Sequence, residues 1–456
     1  MRVQLLQKPM RRCALATLSS LLLVVLLLPA VSAGARPGPT RAKPTPGARV
    51  LKLDPRPKIT TAASVAMSRD GNTLVVGQPG NFDDRSQTGT TAGSAYVFVR
   101  ASHSSRWRQR AVLAAPSGNV AGDGFGQAVA IAAGGKEIAV GAPGTSVGGH
   151  PNDGGVYVFS RPSGGWSSNA PVASLTPSDP SDNRGVGGAV AISGSVVVAG
   201  NNHGQPVYLF ERQAAQWASA AQTAELSGPP TPSECTAAAR FNTFGAAVAV
   251  DGQTVAVSDN GFPSAKSCNT TGAVFIFQRP AGGWTNTATA TATLQPKHGS
   301  GSDFFGQSIA LQGRTLVAGA PSTLIRGIPF VGAVYVFERP TSGWRSATET
   351  ARLAPSILYA TDEFATSVGI SGNTIVASNR YCPNGPAACP FVYHKPAGGW
   401  RSDTPSHELV PPPALQRAGG VQPVAVGGGT AVQVSQIKNL PVVVFPVSKA
   451  GSTRPK

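Results

Sequence analysis

One motif returns at near-constant spacing along the chain. A valine or isoleucine in settings such as Ala-Val-Ala stands at Val65, Val129, Val190, Val248, Ile309, Val368 and Val424, at intervals of 64, 61, 58, 61, 59 and 56 residues. A fixed period near 60 means that one supersecondary unit is written seven times. Such a unit is too small to bury its apolar faces alone, so the copies must pack against one another.

Each copy contains four strand-like pieces. The first is FGQAVAI (125–131), FGAAVAV (244–250) or FGQSIAL (305–311). A tight turn such as RDGN, DGQ or SGN leads to the second, TLVVGQP (73–79), EIAVGAP (137–143) or TLVAGAP (315–321). A variable loop precedes the third, seen in GGVYVFSRPSGGW (154–166), GAVFIFQRPAGGW (272–284) and GAVYVFERPTSGW (332–344). The fourth begins near a tryptophan (Trp107, Trp166, Trp217, Trp284, Trp344 or Trp400) and ends at Leu shortly before Pro. No long stretch has apolar residues at helical spacing, and Gly (54) and Pro (39) punctuate short β-branched and aromatic runs.

The third pieces are apolar at successive positions, so both faces of each sheet must be covered. Four-stranded sheets stacked around an axis satisfy that demand, and the fold class follows: an all-β, seven-bladed β-propeller of four-stranded antiparallel blades. The small residues of the first piece suit the crowded axis, and the aromatic residues fill the widening space further out. The seventh copy ends at its third strand. Its missing piece stands at the other end of the chain, where Arg49–Pro55 matches the ends of the fourth strands. The N-terminal strand is therefore expected to close the last blade and leave no open edge.

The domain division follows from composition. Residues 1–35 carry Arg2, Lys8, Arg11 and Arg12, then an uncharged run with LLLVVLLL at its centre and Val31-Ser32-Ala33 as a cleavage site. They read as a signal peptide, or as an uncleaved anchor. A basic, Pro-rich linker occupies 36–48, the propeller 49–448 and a tail 449–456. The chain is expected to be secreted, or anchored with the propeller outside. More than half of the net charge of +17 falls in residues 1–58, which hold 11 basic residues and one acidic; residues 59–456 hold 27 basic and 20 acidic residues, and no aromatic-basic stripe points to nucleic acid. Without Cys13 four cysteines remain, an even number in an exported chain. Three pairings are open. Loop positions favour Cys235 with Cys268 and Cys382 with Cys389.

The pattern resembles the FG-GAP repeats of integrin alpha-chain propellers and of many secreted microbial proteins, over about residues 49–448. Phe125-Gly126, Phe244-Gly245 and Phe305-Gly306 supply the first element; Gly141-Ala142-Pro143 and Gly319-Ala320-Pro321 supply the second intact. The resemblance implies extracellular binding or adhesion. One departure bears on metal: the first turns (SRDGNT, ISGSV, VDGQT, LQGRT, ISGNT) hold at most one carboxylate each, too few for the six to eight oxygens of a calcium site. No metal and no cofactor are assigned.

In this topology the second-to-third-strand loops and the blade-to-blade connections share one face, and the longest segments lie there. Loops on a rigid scaffold carry binding groups. The candidate contacts are Phe82, Arg85, His150, Arg240, Arg326, Phe330, Arg380 and Tyr381. Gly144-Thr145-Ser146-Val147-Gly148 fits a nucleophile-elbow pattern, but it lies in a loop with no helix after it. The six histidines are scattered, and no carboxylate pair stands out. The expectation is an exported, non-catalytic module that binds an extracellular protein or glycan through its loop-rich face. It involves no nucleic acid, and a membrane only if the leader is retained. The alternatives are a propeller enzyme acting on polysaccharide or lipid-linked substrate, and a structural surface-layer component.

Overall fold

The computed structural model describes residues 43–52, 64–79, 93–102, 104–116, 122–201, 204, 206–230, 235, 243–263, 268–287, 289–355, 359, 362–381, 388–404, 406–415, 422–434 and 442–447. All belong to the unit Arg36–Lys456. They form seven four-stranded antiparallel sheets, each ordered first to fourth strand, with the first strands neighbouring one another around the ring. The only helical element among them is a single turn, Pro413–Leu415. None of them forms a helix long and apolar enough to cross a membrane.

Closure occurs where the sequence places it. Arg49–Leu51 pairs with Val442–Pro446 as the fourth strand of blade 7, in the register Arg49↔Val444 and Leu51↔Val442. Just before it, Thr45 donates its amide to Val410 O (2.9 Å) and accepts the Val410 amide on Oγ1 (2.7 Å), so the same strap also reaches blade 6. Joining first and last elements this way removes the exposed edge that a three-stranded seventh blade would present.

Seven apolar clusters fill the ring, one at each interface between neighbouring blades. The repeated third strand explains how. In Ala333–Glu338, Tyr335 and Phe337 face blade 4 while Val334 and Val336 face blade 6. Large side chains on one face meet small ones on the next blade, which is how close packing is reached between wedge-shaped sheets. Each blade's tryptophan joins the interface with the preceding blade; Trp166, Trp217, Trp284, Trp344 and Trp400 are buried, and Trp107 is partly buried beneath the Arg100 guanidinium.

The two short signatures prove to be halves of one contact. Phe305 lies 5.4 Å from the Tyr335 ring and 5.9 Å from Phe337, edge-on to both. Phe125, Phe244 and Phe364 repeat this in their own blades. The glycine after the phenylalanine turns its backbone toward the preceding blade, where another glycine receives it. A Cβ on Gly77 would stand 2.3 Å from Gly126 O and one on Gly200 would stand 2.1 Å from Gly245 O; Gly141 and Gly319 receive Gly187 and Ala365 in the same way, at 1.9 Å each. Only glycine permits that approach. Further out, ion pairs join successive blades: Arg212 to Glu137 (2.6 Å), Arg279 to Glu211 (3.0 Å) and Lys395 to Glu338 (2.5 Å). These partly exposed pairs each add at most about 1 kcal/mol.

Candidate binding surfaces

On the loop-rich face, the second-to-third-strand loops of blades 2 and 5 have one backbone. Each folds back through a two-residue turn closed by a bridge, Val147↔His150 in blade 2 and Ile325↔Ile328 in blade 5. The turn residues are left-handed in both, Gly148 and Gly149 (φ 58° and 89°) against Arg326 and Gly327 (φ 51° and 80°). Two positions past the bridge the chain is left-handed again, at Asn152 (φ 53°) and Phe330 (φ 54°). Gly154 N donates to Thr145 O, and Gly332 N to Thr323 O, closing both loops alike.

The side chains differ. Blade 5 exposes Phe304 (44%), Leu324 (51%) and Phe330 (51%), three of the five exposed large apolar side chains among the described residues. Phe304 is also left-handed (φ 53°), at a position occupied in blade 2 by Gly124 (φ 66°). The neighbouring blade 6 abuts this apex: Glu363 N donates to Phe330 O (3.1 Å), the Glu363 carboxylate pairs with Arg380, and the Arg380 guanidinium lies 5.6 Å from the Tyr381 ring centroid. The structure thus links Phe330, Arg380 and Tyr381 through Glu363, with Arg326 at the tip of the same loop as Phe330. Phe304 and Leu324 escaped the sequence reading. A signal for the first existed, because blade 5 reads Asp303-Phe304-Phe305-Gly306 where blade 2 reads Asp123-Gly124-Phe125-Gly126.

His150 stands apart on blade 2, with Nδ1 2.9 Å from Asp182 Oδ1. Beside it a guanidinium is fully engaged. Arg184 donates to both Asp179 carboxylate oxygens (3.1 Å each), to the Asp179 carbonyl, to Ser181 Oγ (3.0 Å) and to Tyr208 Oη (2.6 Å), and its Nε is 3.6 Å from Asp153 Oδ1. Burial pushes the Asp153 carboxyl above the usual carboxylate range, against the pull of Arg184. The hydrogen bonds from Arg184 hold Asp179 below that range. Burial raises the Tyr208 phenol to about 12. An Arg so occupied locks a loop and leaves little for a ligand. Phe82, Arg85 and Arg240 lie outside the described residues.

Cys235 and Cys268 form a disulfide with Cα atoms 5.1 Å apart, bracing the connection into blade 4 against that blade's own loop. Closing 33 residues restricts the unfolded chain by about 3–4 kcal/mol in the loop-entropy account. Cys389 is also disulfide-bonded; its expected partner, Cys382, lies outside the described residues.

The family model for the FG-GAP repeat matches residues 107–159 and 288–337. The seven-bladed propeller carries FG-GAP repeats. Each matched stretch runs from the fourth strand of one blade through the third strand of the next, so the family's unit straddles an interface. The two stretches are the copies that retain both FG and GAP, and they enter the two blades with matching loops. Among solved structures, the β-propeller domain of Cps50 (Swd1) from Myceliophteria thermophila is similar, with TM-score 0.50 and 10% identity over 88% of this chain and 100% of that one. At that identity the likeness concerns the fold alone. No curated protein matches the chain.

The opposite, turn-rich face of the propeller carries a ring of its own. Ser193, Asp251 and Gln312 each accept the amide of a glycine in the next blade's turn: Gly252 (3.1 Å), Gly313 (2.5 Å) and Gly372 (2.5 Å). The Arg69 guanidinium reaches across from blade 1 to Asp251 of blade 4 (3.2 Å) and spans the axial mouth. Beneath lies a cavity of about 150 Å³, to which every blade contributes a large apolar side chain, from Met67 and Ile131 round to Ile370 and Val426. Each stands two residues beyond the residue that sets the sequence period.

Proposed function

We propose that this chain is an exported, non-catalytic binding module that engages an extracellular protein through the loop-rich face, at the apex of blade 5. The observation that carries the reading is the exposure of Phe304, Leu324 and Phe330 around Arg326, with Phe304, Arg326 and Phe330 all in left-handed backbone. A bulky residue in that region costs about 1–3 kcal/mol, so an apex that presents aromatic groups this way pays stability for display. Aromatic side chains and arginine are also the residues that dominate protein–protein hot spots. Export is supported by the leader-like first 35 residues and by the Cys235–Cys268 bond, since disulfides persist in oxidising compartments.

The test is a binding screen with the secreted chain against arrays of extracellular proteins and glycans, with and without calcium. A calcium-independent protein hit that the double variant Arg326→Ala, Phe330→Ala loses supports the reading. A glycan hit lost by the same variant keeps the face and changes the partner. A hit that persists in the variant removes the apex from the reading. Self-association or substrate turnover in place of any hit favours the surface-layer or enzymatic alternative.

A further inference from the structure

Closing blade 7 with a strand from the other end of the chain has a consequence on the turn-rich face. In blades 1 to 6 a connection from third to fourth strand crosses this face; blade 7 has none, because its third and fourth strands come from opposite ends of the sequence. Its first turn is also bare, reading Gly427-Gly428-Gly429, since the turn of blade 1 packs against it: a Cβ on Gly428 would stand 1.9 Å from Asp70 O. The space left is a groove of about 990 Å³ that runs from Arg69 near the axis, over blade 7, to the outer connection of blade 6.

Its lining is rich in donors. Arg69, Lys395 and Arg401 bring charge, and His394 and His407 bring imidazoles whose centroids are 6.4 Å apart. Ser371, Asn373 and Thr374 bring neutral polar groups between the charged ends, with Thr374 Oγ1 3.2 Å from His394 Nδ1. Among the described residues no carboxylate lines it. The three that pair with its cations, Asp251, Glu338 and Asp403, stand outside the lining, and the Arg401 side chain remains 59% exposed. The Arg401–Asp403 pair is exposed on both sides, so an anionic ligand can take the place of its carboxylate at little cost.

We infer that this groove is a second binding site, for an acidic oligosaccharide. The volume lies at the upper end of small-ligand sites and far exceeds one inorganic anion. Guanidinium and ammonium groups at its two ends match carboxylates or sulfates spaced along a sugar chain, and the hydroxyl and amide groups between them match sugar hydroxyls. Among the described residues no Phe, Tyr or Trp lines it to stack a nucleobase. The site is independent of the blade 5 apex and lies on the other face.

Titration of the secreted chain with trigalacturonate, with a heparin-derived hexasaccharide and with neutral maltohexaose tests this. Saturable binding of one or both acidic probes, without binding of maltohexaose, is expected. The two acidic probes distinguish carboxylate from sulfate. Arg401→Glu weakens binding about tenfold or more, the scale of one charge-assisted contact. Arg161→Glu, an equal charge change on the corresponding face of blade 2, leaves it within about twofold, as does Phe330→Asn on the loop face. Melting curves confirm that each variant folds, and Arg401→Gln replaces Arg401→Glu if the latter does not. Equal loss in Arg161→Glu reduces the effect to the general attraction of a basic chain and overturns the site. Equal affinity for maltohexaose, or no saturable binding of either acidic probe, overturns it as well.

Discussion

Blades 2 and 5 hold the same backbone and do different things with it. Their loops share a bridge, a left-handed turn and a second left-handed residue, and both are entered through a left-handed residue before the interface phenylalanine. Blade 2 fills those positions with Gly124, Gly148 and Asn152, residues that take positive φ at little cost. Blade 5 fills them with Phe304, Arg326 and Phe330. The interior halves are alike, with Phe125 and Trp166 matched by Phe305 and Trp344. The repeat thus fixes the scaffold and leaves the tips free, and an apex that departs from the cheap residues identifies where something other than folding governs residue choice.

The comparison can be broken first in the interior. Trp166→Ala and Trp344→Ala are each expected to cost about 3–5 kcal/mol in denaturant unfolding, and by similar amounts, because both side chains fill the same interface position. Clearly unequal costs would mean that the two scaffolds are not equivalent.

Next comes the polar lock of blade 2, which blade 5 replaces with Val331 at the position of Asp153. Arg184→Leu leaves the Asp153 carboxylate buried without its cation and is expected to cost about 3 kcal/mol at neutral pH. Adding Asp153→Val should recover most of that loss. The carboxyl of Asp153 is already raised by burial, so the single variant regains stability as pH falls and the group takes up a proton. A cost independent of pH would show that the charge is not its cause.

At the tips the effects are smaller and opposite in sign. Phe330→Asn is expected to stabilise the chain by about 1 kcal/mol while weakening partner binding, and Asn152→Phe to destabilise it by a similar amount. If Phe330→Asn destabilises, the ring packs for the fold rather than for a partner. The smallest effect belongs to Asp179, whose carboxylate is held low by Arg184 and is 67% exposed. Asp179→Asn should cost about 0.5 kcal/mol or less at pH 7. That stability is present above the ordinary carboxylate range and disappears as pH falls through the depressed value, and added salt shrinks it.

Glu408 shows the limit of pattern reading within a repeat. It stands opposite Phe391 as Arg352 stands opposite Tyr335, yet here burial pushes a carboxyl up to about 7. Leu409, one residue later, is the repeat's leucine, and its side chain enters the interface with blade 7 as that of Leu353 enters the interface with blade 6.

The number of blades, their four strands, the closing strand and the Cys235–Cys268 pair could be read from the chain alone. Those features rest on local patterns, an apolar period and the strand missing from one end, and stacked sheets offer few ways to satisfy them. The tertiary structure decided which distant side chains meet. Arg69 reaches Asp251 across 182 residues of sequence, Phe330 meets Glu363 of the next blade, and the groove over blade 7 exists only because a strand crosses from one end of the chain to the other. Left-handed residues and cross-ring contacts depend on backbone positions that are set only when the ring closes, and separation along the chain does not measure distance within it.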